Sequence, residues 1–106
     1  MAIPKKHAPR VAKFVEIVIG MVVEEKLDRA FYRAGALDGN YRLSLFSTGL
    51  LPWYNDDRIE FQAAVNDKKT ESFFISGKDL ADKKVDPTLI KTVADAIMKL
   101  RIKEIK

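Results

Sequence analysis

The sequence predicts an α+β domain of order α-β-β-β-α, a three-stranded antiparallel sheet with two helices packed on one face. Three patterns predict it. An apolar stripe at helical spacing lies near each end of the chain, and residues 58–65 alternate cleanly between apolar and polar. A polar turn, Asn66-Asp67-Lys68-Lys69, joins two strand-like runs. The 106 residues suffice for one such domain, and 47% apolar with 32% charged residues is the composition of a folded chain. Residues 1–8 read as a flexible basic arm and 9–106 as the domain.

The first helix is expected over residues 9–35. Pro9 suits the opening turn, where its missing N–H is not needed, and Gly35 suits the position past the end. Val11, Phe14, Val15, Val18, Met21 and Val22 fall on one stripe, and Glu25 and Arg29 are spaced for an i,i+4 ion pair. A strand over residues 14–23 competes. In that reading Val15, Ile17, Ile19, Met21 and Val23 share a face, and only residues 24–34 are helical. Gly20 is the expected bend.

Asp38-Gly39-Asn40 reads as a turn into the sheet. Residues 41–47 place Tyr41, Leu43 and Leu45 on one face. Residues 58–65 place Ile59, Phe61, Ala63 and Val65 inward with Arg58, Glu60 and Gln62 outward, and residues 71–76 return as the third strand. Asp86 then caps a helix that opens with Pro87, whose stripe is Leu89, Ile90, Val93, Ile97 and Leu100. Lys99, Arg101, Lys103 and Lys106 complement the dipole at its end. Residues 100–106 also alternate, which allows a short terminal strand.

The formal charge of +4 is unevenly distributed. Residues 1–13 carry +4, residues 14–76 carry −3 and residues 77–106 carry +3. Positive ends attract phosphates or an acidic protein surface through long-range, salt-screened fields, although lysine-rich termini also serve solubility. Glu16 within the first apolar run, and Glu24-Glu25 after it, argue against a secretory signal. No apolar run approaches the ~20 residues of a membrane span. The expected setting is cytoplasmic, without membrane contact.

Catalysis finds few groups to use. No cysteine is present, and the lone histidine, His7, is expected to be exposed and solvated in the arm without an orienting partner. The acidic sets Asp56-Asp57-Glu60 and Asp79-Asp82-Asp86 lack the spacing of a calcium loop. Ser76-Gly77-Lys78-Asp79 departs from a phosphate loop at the residue after the lysine. We expect no enzyme, no cofactor and no metal. Two sets remain for binding. Lys5, Lys6, Arg10, Lys13, Lys68, Lys69, Lys78, Lys83 and Lys84 are candidates for phosphate contact, the last five on the expectation that they gather at one edge of the sheet. Leu50, Leu51, Trp53 and Tyr54, in the long connection over residues 50–57, are candidate protein anchors, or a plug for the end of the core.

In element order alone, an α-β-β-β-α chain resembles two RNA-binding architectures, the double-stranded RNA-binding domain and the Alu-domain proteins of the signal recognition particle. The former opens its last helix with a paired-lysine signature; here that helix opens Asp86-Pro87-Thr88-Leu89, so no functional residue is carried over. The sequence thus favours a small non-catalytic nucleic-acid-binding protein, RNA ahead of DNA. The alternative is a protein-binding module or small inhibitor that uses the 50–57 loop or the open sheet face, with homodimerisation available to it.

Overall fold

Residue 17 decides between helix and strand for the first apolar run. A strand would bury Ile17 with Val15 and Ile19, but Ile17 is half exposed while Val11, Val15, Val18, Ile19, Val22 and Val23 are buried. That spacing is helical. The computed structural model describes residues 2–24, 30–50 and 58–102, with the backbone alone at 49 and 50. In it α1 spans Ala8–Val23, continuous through Gly20, with Pro9 in its first turn.

The helix does not run on to Gly35. Glu24 closes it by donating to the Gly20 carbonyl, and Tyr32–Asp38 forms strand β1. The reason is tertiary. β1 pairs antiparallel with β2, Tyr41–Leu50, with Tyr32 opposite Phe46 and Gly35 opposite Leu43. Beyond Phe31 this stretch has no helical stripe to bury, and only Phe31 and Leu37 enter the core. Asp38-Gly39-Asn40 is therefore a hairpin turn rather than a helix-to-strand loop. The Glu25–Arg29 pair lies outside the described residues.

The sheet has five strands instead of three. β3, Ile59–Val65, pairs antiparallel with β2 and also with two short pieces, β4, Lys68–Lys69, and β5, Phe73–Ile75. Ala64 faces Lys69 and Phe61 faces Phe73, so three residues on the edge answer two on β3. This is a β-bulge. Thr70 fills it: its hydroxyl accepts from the Ala63 N–H and donates to the Glu71 carbonyl.

Ser76 then caps the short helix α2, Gly77–Asp82, by accepting from the Asp79 N–H. Asp86 caps α3, Pro87–Lys99, by accepting from the Thr88 N–H, as the sequence implies. No strand forms over residues 100–102; residues 103–106 lie outside the described set.

The core lies between helices and sheet. Leu43, Leu45, Ile59, Phe61, Val65 and Ile75 from the inner face meet Val11, Val15 and Ile19 of α1 and Val93 and Ile97 of α3. The two long helices also pack on each other. Phe61 is fully buried, and removing such a ring costs about 3–5 kcal/mol. Phe14 lies over Gly35, where an added Cβ would stand 3.4 Å from the ring.

Asn66 ties two turns together. It adopts φ 54°, which asparagine tolerates, and its side chain accepts from the Arg42 N–H (2.9 Å) and donates to the Asn40 carbonyl (3.1 Å). Asn66→Ala should destabilise by about 2–3 kcal/mol, from left-handed strain and lost hydrogen bonds. Asn66→Gly, which removes only the bonds, should lie about 1 kcal/mol closer to wild type. Urea midpoints of the two variants measure the difference.

Candidate nucleic-acid interface

The N-terminal segment is held to the body at several points. Ile3 is buried, Lys5–His7 form a 3-10 turn, and His7 is buried rather than solvated. Its Nε2 lies 3.0 Å from an Asp38 carboxylate oxygen, and its ring meets Tyr41 edge-on at 5.9 Å. Arg10 donates to the Leu37 carbonyl at 2.7 Å. The N-terminal segment is therefore no free arm: the imidazole acts as a bracket between it and the β1–β2 turn.

That bracket places charge. The β1–β2 turn is bonded through Asn66 to the β3–β4 turn, which carries Lys68 and Lys69. Lys69, Thr70 and Glu71 in turn line an open cleft with Asp95, Lys99 and Leu100 of the α3 end. Lys5, Lys6, Arg10, Arg42, Lys68, Lys69 and Lys99 therefore converge on one end of the molecule. Among the described residues, carboxylates pair only with His7 and with Lys13, which lies 4.0 Å from Glu16. The acids that share the basic end are Asp38, Asp67, Glu71 and Asp95.

Lys78, Lys83 and Lys84 do not join this group. They lie on or after α2, which follows β5, and β5 pairs with Ile59–Phe61 whereas β4 pairs with Ala64 and Val65. At roughly 3.3 Å per residue the two attachments are ~10–20 Å apart along β3. Val85, just beyond, lies 3.9 Å from the Cβ position of Gly20, late in α1. The expected single lysine edge is thus divided between two regions. Lys13 stands on the exposed side of α1.

The outer face of the sheet carries a second feature. Tyr32 and Phe46 are in register, with ring centroids 6.5 Å apart, and Tyr32 is 66% exposed. Phe74 lies opposite Glu60 on β3 and is 39% exposed. Arg58 stacks over Phe74, its guanidinium carbon 4.6 Å from the centroid, and Lys69 Nζ stands 5.6 Å over Phe46. The Arg58 Nε is buried without a hydrogen-bond partner. Ala34, Ser44 and Ala64, in register across three strands, keep the middle of this face low.

The sequence hides two of these three rings. Phe46 was available, because alternation that sends Leu43 and Leu45 inward sends Phe46 outward. Tyr32 falls within the helix expected over residues 9–35, which masks its place on a strand. Phe74 was hidden by the bulge, which adds one residue and reverses the parity of the edge strand. Leu51, Trp53 and Tyr54 lie outside the described residues, as does the side chain of Leu50.

Among the described residues, no helix is long and apolar enough to cross a membrane, and no group of three or more His, Asp or Glu could hold a metal ion. Comparison with protein-family models, with curated proteins and with solved structures finds no match.

The Asp38 carboxyl is held below its ordinary range, chiefly by the Asn40 N–H and further by His7, with partial desolvation opposing. A lowered value means the unfolded chain binds more protons in the acid range, so this contribution is full above the usual carboxylate pKa of about 4 and fades as pH falls through the lowered value. Wild type should therefore lose more stability than Asp38→Asn between about pH 5 and pH 2. Urea midpoints taken across that window measure the slope.

Proposed function

We propose that the protein is a small, non-catalytic nucleic-acid-binding protein, RNA ahead of DNA. The observation that carries this reading is the convergence of exposed cations from the N-terminal segment, the β3–β4 turn and the end of α3, without ion-pair partners among the described residues. Each phosphate neutralised by such a cation releases condensed counterions, so affinity needs only positive groups at suitable spacing and no enclosed pocket. Phosphate contact of this kind positions a nucleic acid and carries no sequence information by itself. RNA takes precedence because its loops and single strands present backbone and splayed bases together. The mixed acids Asp67, Glu71 and Asp95 temper the field, which favours moderate and strongly salt-dependent binding.

The alternative is a protein partner seated on the outer sheet face, and the exposure of Tyr32 and Phe74 is what favours it. Binding in the two cases responds differently to salt. Affinity for a labelled single-stranded RNA should fall linearly on a log–log plot against salt. Replacing both Lys68 and Lys69 by Ala should make that slope shallower by roughly 1.4, about 0.7 per lost contact. The Lys78→Ala/Lys83→Ala/Lys84→Ala variant, altered away from the basic end, should change it less. Undetectable binding to any RNA or DNA at low ionic strength would end this reading.

A further inference from the structure

We infer that the outer face of the sheet is a stacking platform for unpaired bases, which makes the ligand of the basic end a single strand rather than a duplex. The inference rests on the nucleic-acid reading and narrows it. Three aromatic rings stand on this face, on β1, β2 and β5. Tyr32 and Phe46 are neighbours in one row; Phe74 lies beyond β3, two strand spacings across and two residues along, roughly 12 Å from Phe46. Gln62, opposite Phe46, and Glu60, opposite Phe74, are the β3 residues between these rings, while Ala34, Ser44 and Ala64 form a low row on the far side of Tyr32 and Phe46, where a base laid on those two rings meets no bulky side chain.

The cations decide the chemistry. A face that served only an apolar protein contact would have no use for a cation over two of its rings. Here Arg58 covers Phe74 and Lys69 covers Phe46, and neither has a carboxylate within 4.0 Å among the described residues. With its Nε buried, the Arg58 guanidinium has its terminal nitrogens for phosphate oxygens, while its plane extends the aromatic surface for a base. Lys69 belongs to both features, standing over Phe46 and at the basic end, so one strand can lay its bases on the sheet and its phosphates on the lysines. Glu60, in register with Phe74, is the acid of this face. A base pair in a duplex already has both faces stacked, so the rings have nothing to offer it; an unpaired base does.

Affinity is measured for labelled oligouridylate, oligodeoxythymidylate and an RNA duplex, with sedimentation of the free protein alongside. Tyr32→Ala and Phe74→Ala should each weaken single-strand binding by about 5- to 150-fold, leave the salt slope unchanged and leave duplex binding unaltered. Tyr32→Phe should retain single-strand affinity, which separates loss of a ring from loss of fold. Equal binding of single strand and duplex, unmoved by the ring variants yet weakened by Lys68→Ala/Lys69→Ala, would overturn the platform and leave the nucleic-acid reading intact. A dimer that the ring variants dissolve without changing nucleic-acid affinity would also overturn it. Failure to bind any nucleic acid would overturn both.

Discussion

The arrangement of the charged end depends on Asp38. One carboxylate oxygen accepts from the Asn40 N–H at 2.7 Å and closes the β1–β2 hairpin; the other lies 3.0 Å from His7 Nε2 and holds the N-terminal segment. A single side chain thus fixes a turn and docks a terminus. Asn66 extends the connection from the same turn to the β3–β4 turn. These hydrogen bonds lie at the rim of the fold rather than in its core, so their importance is geometric rather than energetic. They settle where Lys5, Lys6 and Arg10 stand relative to Lys68 and Lys69, while burial of Phe61 and its neighbours supplies most of the stability.

The bulge at Thr70 does for the sheet face what Asp38 does for the end. An edge strand without the extra residue would send residues 69, 71 and 73 to one side. With it, Lys69 and Phe74 face outward while Phe73 and Ile75 enter the core. The cost of interrupting the ladder is offset because the Thr70 hydroxyl replaces a backbone partner for the Ala63 N–H. Bulges that re-aim a side chain are common where a sheet serves a ligand.

These two devices also mark where the sequence stopped being readable. Elements whose pattern is local were legible. Asp86-Pro87 announced α3, the alternation over residues 58–65 announced β3, and the inward set Tyr41, Leu43 and Leu45 holds in the structure. β1 was not legible, because residues 32–38 bury little and become a strand through pairing with β2 rather than through a period of their own. The break in the edge strand is not legible because nothing in Thr70-Glu71-Ser72 announces a bulge. The burial of His7 is not legible because its partner is 31 residues away, beyond any local motif. The basic end was half visible: charge at both termini was plain, but their meeting was not.

That meeting is not required for folding. Two cations about 10 Å apart repel by ~0.4 kcal/mol in water and less with salt, so several exposed lysines can crowd one end without unfolding the chain, but they gain it nothing. Stability alone would favour interleaving the acids, as Lys13 and Glu16 do on α1. Likewise the fold obtains little from a Tyr32 side chain left two-thirds exposed. Cations without carboxylate partners and rings that the core does not use meet at Lys69, which stands over Phe46. A ligand that is both anionic and planar satisfies both at once; an apolar protein partner would leave the cations desolvated and unpaired, and a purely anionic one would leave the rings idle.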